Sequence, residues 1–478
     1  MRIPLPAVNT AFGSGQKGRI VPEVGFYFDI VCPYAYLAAQ QLPALCARLG
    51  ARIDYRPILL GGVLKALASE PSAASPARQA STRLDLARWS AHLGVPLRFP
   101  AAHPRRTVSA MRLVCWAPGE ARAELVAALY RAYWVEDRDI TVPEELGAIA
   151  ASVGLSAADA MVGLASPAAA QKLRQRTDDA LQAGVFGVPT FVVDSHSGPR
   201  LFFGQDRLHF VQEALLHHPF AEPASDPPTA RKRAGRGSAL RSITLEPSLS
   251  APGAATAASA PAAKLPPVAD VANQARQVTF VYDFSSPFAY LASTQIEALA
   301  ARCGAVVKWH PILLGGLFRS IGTPNVPLAT YPEAKRRHSL EDMARWAHYY
   351  DQPFHFPSRF PMVTVTALRL ALLAGDKIAE LSQALFAAYW VGDADLNDPA
   401  VLEAALRQAE LPLSLLSRVS EPEVKQALID NTVAAERLGV FGVPSFLIPQ
   451  PSGSDALFFG QDRLLLVEKT LLRGTAQS

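Results

Sequence analysis

The sequence predicts an α/β protein built from two copies of one domain, each with a mostly helical insertion. Blocks of sequence recur in the same order in the two halves, which indicates two homologous domains. FYFDIVCPYAYLA at 26–38 returns as FVYDFSSPFAYLA at 280–292. GVFGVPTF at 184–191 returns as GVFGVPSF at 439–446, and LFFGQDRL occurs once in each half. The two copies differ where Cys32 precedes a proline in the first and Ser286 precedes it in the second.

Each copy alternates segments typical of strands and of helices. β-Branched and aromatic residues predict the strands, proline after a short turn predicts a helix start, and apolar periodicity predicts the long helical middle. In the second copy the predicted elements are a strand at 278–283, a helix at 287–303, a strand at 305–309, helices over 318–437, strands at 445–448 and 456–459, and a helix at 462–472. This order is the plan of a thioredoxin-like fold with a helical domain inserted in its middle.

The repeat also sets the predicted domain organisation. The first domain is expected at 23–218 and the second at 277–473, after a loose leader at 1–22. The segment 219–276 is rich in Ala, Pro and Ser, a composition that buries too little apolar surface to order itself and predicts a flexible linker. A basic cluster, RKRAGRG, lies within this segment and is interpreted as solvated linker rather than as a nucleic-acid patch.

Composition excludes several classes of function. A net charge of +4 over 478 residues favours neither nucleic acid nor a membrane surface as partner. The N-terminus has no apolar signal region, and no run of 18 apolar residues predicts a spanning helix. The four cysteines form no CxxC pair and no cluster with histidine at metal spacing, so no metal site and no disulfide framework is predicted. So few cysteines fit a reducing compartment, and a cytoplasmic location is expected.

The turn after the first strand places Cys32 or Ser286 at a helix start. Unpaired backbone N–H groups there favour negative charge and lower the pKa of a thiol, whether it belongs to the protein or to a ligand. A simple N-cap is the alternative interpretation of Ser286. Ala35 stands where a second redox cysteine would be, which disfavours dithiol chemistry.

Two further motifs point to a ligand. Val188-Pro189 and Val443-Pro444 precede a strand. In thioredoxin-like folds such a proline is usually cis and faces the helix start, and it leaves the backbone before it free to pair with a peptide-like ligand. The alternative is a proline that merely begins a strand. The GQDR motif before the last helix contains Gln461 and Asp462, either of which can cap that helix. Alternatively, Asp462 binds the ammonium group of an α-amino acid.

These motifs together resemble the 2-hydroxychromene-2-carboxylate isomerase family and its relatives, the kappa-class glutathione transferases. The pieces are YDFSSPFAYLA, HPILLGGLFR, NVP, the RW pair before YYDQPF, GVFGVPSF and FFGQDRL. The resemblance implies glutathione as cofactor and a small aromatic carboxylate as substrate. Ser286 would hydrogen-bond the glutathione sulfur, and Val443 with Pro444 would hold the cysteinyl backbone. The γ-glutamyl end would bind Gln461, Asp462 and Arg463.

The resemblance also implies a substrate pocket lined by Arg319, Asn325 and Tyr350, with Tyr349 as the alternative register. The first copy departs from the family at several positions: Cys32 replaces serine, its loop lacks the asparagine, and Leu93 replaces the tyrosine. Its possible site comprises Cys32, Lys65, Val188, Gln205 and Asp206. The first copy is therefore expected to be degenerate, or to serve as the partner in an intramolecular pseudo-dimer.

The implied reaction is a glutathione-assisted cis–trans isomerisation, converting 2-hydroxychromene-2-carboxylate or a similar aromatic breakdown intermediate to trans-o-hydroxybenzylidenepyruvate. Three alternatives stay open. A kappa-type transferase would use the same site for conjugation. A DsbA-like thiol oxidoreductase would depend on Cys32 alone, and a binding module would hold glutathione without turnover.

Overall fold

The computed structural model describes residues 21–69, 76–195, 198–217 and 276–473. Apart from residues 21, 22 and 276, the predicted leader and linker lie outside these residues. Within the described ranges, no helix is both long and apolar enough to cross a membrane.

Each half forms a four-stranded mixed sheet. The strands are β1 (Glu23–Phe28), β2 (Arg52–Pro57), β3 (Thr190–Val193), β4 (Arg200–Phe203), β5 (Arg276–Tyr282), β6 (Ala305–Pro311), β7 (Ser445–Pro449) and β8 (Asp455–Phe459). The strand orders are β2-β1-β3-β4 and β6-β5-β7-β8. The first two strands of each half pair in parallel, and the other pairings are antiparallel. The two sheets therefore share one topology.

Helices cover both sheets and form the insertions. In the first half they are α1 (Pro33–Arg48), α2 (Leu60–Ala66), α3 (Pro76–Leu93), α4 (Val108–Trp116), α5 (Gly119–Trp134), α6 (Pro143–Ser152), α7 (Ala157–Ala165), α8 (Pro167–Gln182) and α9 (Leu208–Leu216). In the second half they are α10 (Pro287–Arg302), α11 (Leu314–Ser320), α12 (Pro327–Thr330), α13 (Glu333–Tyr349), α14 (Val365–Leu373), α15 (Ile378–Trp390), α16 (Pro399–Gln408), α17 (Leu415–Arg418), α18 (Pro422–Arg437) and α19 (Leu464–Arg473).

Large side chains in register join the strands and anchor the insertion. Phe280 on β5 faces Phe446 on β7, and their ring centroids lie 5.7 Å apart in a stacked arrangement. Trp390, at the end of α15, is fully buried, and its Nε1 donates a hydrogen bond of 2.8 Å to the carbonyl of Phe284. Trp134 makes the same bond to Ile30 in the first half. Because an indole N–H needs a partner when buried, this contact fixes the insertion to the turn that follows the first strand of each sheet.

The predicted fold class is confirmed: two thioredoxin-like domains, each with a helical insertion. The observed elements follow the predicted order. The strand predicted at 278–283 runs over Arg276–Tyr282, and the helix predicted at 287–303 runs over Pro287–Arg302. The final predicted helix is split, because a 3₁₀ turn at Gln461–Arg463 precedes α19.

Candidate functional site

Ser286 is the N-cap of α10 in the second domain. Its Oγ accepts a hydrogen bond of 3.2 Å from the backbone N–H of Ala289, and Pro287 occupies the first helical turn. The hydroxyl also donates to the carbonyl of Val443 at 3.2 Å. The interpretation of this serine as an N-cap is therefore confirmed, and the same hydroxyl also lies against the valine-proline loop.

Asp283 fixes the turn that carries Ser286. This buried carboxylate accepts hydrogen bonds of 2.9 Å from the N–H groups of Ser285 and Leu314, and one of 2.7 Å from the hydroxyl of Thr364. Burial raises the pKa of Asp283, and these hydrogen bonds oppose that rise. The aspartate joins three segments: the turn, the start of α11 and the start of α14. The sequence analysis did not identify this role, although the equivalent aspartate, Asp29, occurs in the first copy.

The loop before β7 approaches the start of α10. Val443-Pro444 is a cis peptide bond, as is Val188-Pro189 in the first domain. The hydroxyl of Ser445 donates to the carbonyl of Gly442 at 2.7 Å, which closes the loop on itself. The expected juxtaposition of proline loop and helix start is present in both domains.

The GQDR turn carries the group expected to hold an amino-acid end. Gly460 has a φ of 101°, and a Cβ there would overlap the carboxylate of Asp462. Gln461 is buried, its carbonyl accepts a hydrogen bond of 3.1 Å from the hydroxyl of Tyr350, and its Nε2 has no partner among the described residues. An unpaired buried amide is costly, so this donor is suited to an acceptor on a ligand.

Asp462 and Arg463 take part in a buried charge network between the two domains. Arg463 donates to both carboxylate oxygens of Asp85, at 2.7 and 3.0 Å, and to Asp206 at 2.5 Å. Arg207 reaches Asp462 at 2.6 Å and Asp342 at 2.9 Å. The structure alone shows these contacts, because the sequence suggested ligand roles for Asp462 and Arg463 and, as an alternative, a capping role for Asp462. The repeated DLARW and DMARW segments are the signal that could have revealed them.

The contacts across the network are reciprocal. Each arginine of a GQDR motif pairs with the aspartate of the other domain's GQDR motif and with the aspartate on the facing helix, α3 or α13. Each also lies over that helix's tryptophan: Arg207 is 5.4 Å from the Trp346 ring and Arg463 is 5.8 Å from the Trp89 ring. Burial alone would raise the pKa of Asp206, but the two guanidinium groups lower it to about 2. Reciprocal contacts of this kind are those of a two-fold, isologous interface.

The first domain presents a buried thiol in place of the serine. The Sγ of Cys32 lies 3.2 Å from the carbonyl of Val188, and the residue is 8% exposed. Burial raises the pKa of this thiol to about 12, so the expectation that the helix start lowers it fails here. Lys65 is exposed in the last turn of α2, and Gln205 accepts a hydrogen bond of 3.2 Å from Gln41.

The three residues expected to line the substrate pocket lie in two places. Arg319 is exposed in the last turn of α11. The amide oxygen of Asn325 lies against Gly315, in the first turn of the same helix, where a Cβ would approach it to 3.3 Å. Tyr350 is 4% exposed and contacts the GQDR turn through Gln461. Its neighbour Tyr349 packs at 4.9 Å from the ring of His209, in the first domain. No group of metal-ligating side chains is found among the described residues.

Comparison with known proteins places this geometry in a family. The family described as DSBA-like thioredoxin domain matches residues 23–216 and again residues 277–472. The 2-hydroxychromene-2-carboxylate isomerase of Sphingobium xenophagum is 36% identical over 196 residues, which are 40% of this chain and 97% of that protein. Glutathione S-transferase kappa 1 of Homo sapiens is 26% identical over 209 residues, 41% of this chain and 92% of that protein. A solved structure of 2-hydroxychromene-2-carboxylate isomerase shares 24% identity over 42% of this chain and 97% of that chain, with a TM-score of 0.38. The resemblance indicated by the motifs, and the tandem duplication, are confirmed.

Proposed function

Since the chain belongs to the DSBA-like thioredoxin domain family and carries that domain twice, we propose that it is a glutathione-dependent isomerase with its chemistry in the second domain. The substrate is 2-hydroxychromene-2-carboxylate or a similar aromatic breakdown intermediate, and the product is trans-o-hydroxybenzylidenepyruvate. One observation carries the proposal: the Ser286 hydroxyl stands at the start of α10 and against the cis-proline loop. All four cysteines are free, which fits the reducing cytoplasm that we propose as the compartment.

The Ser286 hydroxyl is suited to stabilise a thiolate. Its oxygen already accepts the N–H of Ala289, which polarises the O–H bond and makes the hydroxyl a better donor. Its present acceptor, the carbonyl of Val443, is 3.2 Å away, which is long for an O–H donor, so little is lost when the hydrogen turns to a thiolate. The positive end of the α10 dipole adds to the stabilisation.

Groups around the serine fit the rest of glutathione. Val443 presents its backbone to the cysteinyl part of the ligand, in the manner of strand addition. The unpaired Nε2 of Gln461 can donate to a ligand carboxylate, and Asp462 lies at the same turn to accept from an ammonium group. Asp462 is also bound by Arg207, so it would be shared between the ligand and the interface.

In the proposed reaction the glutathione thiolate adds to the conjugated system of the chromene carboxylate, and the ring opens. Rotation about the resulting single bond and elimination then return the thiolate and give the trans product. The exposed guanidinium of Arg319 pairs with the substrate carboxylate. Asn325 lies beside the first turn of the same helix, where it can orient that carboxylate. Tyr350 would act through Gln461, whose carbonyl accepts a hydrogen bond from the Tyr350 hydroxyl.

Substitution of Ser286 tests the proposal. In the full chain, Ser286→Ala removes one hydrogen bond to a charged group, worth about 1.5–3 kcal/mol. The turnover of 2-hydroxychromene-2-carboxylate should therefore fall roughly tenfold to a hundredfold. Ser285→Ala is the matched control, since it removes the adjacent hydroxyl but keeps the backbone N–H of Ser285 that donates to Asp283. Equal rates in Ser286→Ala and Ser285→Ala would contradict the role given to Ser286.

A kappa-type glutathione transferase is the second candidate, because the human relative carries that name. The same thiolate would then attack an electrophile and remain bound to it. Turnover of an activated aryl chloride, with consumption of glutathione, distinguishes conjugation from isomerisation. A thiol oxidoreductase is less well supported, because Cys32 is buried and its pKa is raised to about 12.

A further inference from the structure

The two interface helices differ where they face the cis-proline loops. Counting back four residues from the aspartates of DLARW and DMARW aligns Ser81 on α3 with His338 on α13. One position earlier, Ala80 aligns with Arg337. The helix that the second domain presents to the first is therefore bulkier and more basic at this point than its counterpart.

His338 fills the cleft beside the first domain's loop. Its ring centroid is 5.3 Å from that of Phe186 and 6.4 Å from that of Phe203. These two phenylalanines flank the loop, since one lies two residues before Val188 and the other directly precedes the GQDR motif. His338 is 8% exposed, and Arg337 lies against the backbone of Gly184. The cleft at the first domain is occupied by side chains from the second.

The equivalent cleft at the second domain is open. Phe441 and Phe459 pair at 4.6 Å, closely matching the 4.7 Å between Phe186 and Phe203. Ser81 faces them in place of an imidazole, and a cavity of about 180 Å³ remains.

The lining of this cavity favours an anion. It includes Arg78 and Arg88, while the third arginine of the lining, Arg463, is already paired with Asp85 and Asp206. The guanidinium of Arg78 lies 5.5 Å from the centre of the Phe441 ring. Arg88 is held in place, because it donates to the carbonyl of Leu457 at 2.6 Å and lies 3.8 Å from the centre of the Phe458 ring. Arginine groups fixed in this way are preorganised for a carboxylate.

We propose that the Ser81/His338 difference decides which of the two clefts between the domains takes a carboxylate-bearing ligand. The cleft at Phe441 and Phe459 is open, and the cleft at Phe186 and Phe203 is closed. The first domain thus completes the binding site of the second, and one chain binds one ligand. Identification of that ligand as glutathione rests on the proposed function.

Calorimetry with glutathione on the full chain tests the asymmetry. One molecule should bind per chain. Ser81→His should weaken binding at least tenfold by filling the open cleft, whereas Ser81→Ala, which keeps the cleft open, should weaken it at least several-fold less. His338→Ser should raise the stoichiometry toward two, and His338→Phe, which keeps the cleft filled, should leave it at one. Two sites in the unsubstituted chain, or equal affinity in Ser81→His and Ser81→Ala, would overturn the proposal.

A second measurement does not depend on glutathione. In Ser81→Cys the new thiol should react several-fold faster with an anionic aromatic disulfide than with a neutral one of similar size, because the cleft is open and cationic. An unreactive thiol, or one without preference for the anion, would overturn the proposal whatever the ligand is. An anion-selective reaction together with no binding of glutathione would support the open, cationic cleft and would contradict the proposed function instead.

Discussion

Replacing Arg463 by methionine should destabilise the chain by removing the centre of the interdomain network. The side chain is 14% exposed, and its partners Asp85 and Asp206 are 12% and 8% exposed. Methionine keeps much of the apolar stem but leaves the carboxylates of Asp85 and Asp206 buried without Arg463. Asp206 then keeps its contact with Arg207. Removing one member of a buried ion pair costs about 3–5 kcal/mol.

Denaturant unfolding of the full chain measures this cost, followed by the tryptophan fluorescence, to which Trp89 beside Arg463 contributes. Arg407→Met is the matched control, because Arg407 pairs with Glu403 at 2.9 Å but is 62% exposed. An exposed pair of this kind contributes about 0–1 kcal/mol. A loss of stability in Arg463→Met no larger than that in Arg407→Met would refute the structural role of the network.

Three further predictions concern Cys32, the buried pair of histidines and Gly460. Cys32 should resist alkylation at pH 8, measured by mass spectrometry, because burial raises its pKa to about 12; rapid labelling of the native chain would contradict this. Burial lowers the pKa of His209 and of His338 to about 4, so between pH 6.5 and 4 the unfolded chain binds more protons than the folded chain. The free energy of unfolding should therefore decrease as the pH is lowered through this range, by up to roughly 2 kcal/mol per pH unit for the pair. A flat profile in thermal unfolding would argue against it. Gly460→Ala should lower the free energy of unfolding by about 1–3 kcal/mol. Gly453→Ala should lower it less, because the φ of 83° there is also positive but an added Cβ would meet no atom within 4 Å. Equal losses in chemical unfolding would contradict the predicted overlap of the new Cβ with the Asp462 carboxylate.

The order of elements could be predicted from the sequence because each element has a local signal. Strands such as β5 are rich in β-branched and aromatic residues, and α10 begins with a proline after a capping residue. The duplication strengthened each prediction, since the same signals occur twice. The position of Ser286 against the cis-proline loop followed from the fold itself.

The interface could not be predicted in the same way. The pairing of Arg463 with Asp85 joins residues far apart in the chain and belonging to different domains, and no local pattern encodes such a contact. The thiol of Cys32 shows a second limit. Its position at a helix start favours a lowered pKa, but the surrounding packing, which the sequence does not give, raises it. Burial is decided by tertiary structure, and here it outweighs the helix start.

The most direct test of the proposed function is the absorbance of 2-hydroxychromene-2-carboxylate followed with the full chain, with and without glutathione. The proposal predicts fast loss of absorbance only when glutathione is present, and recovery of glutathione unchanged at the end. Turnover that is equally fast without glutathione, or no turnover with it, would contradict a glutathione-dependent isomerase.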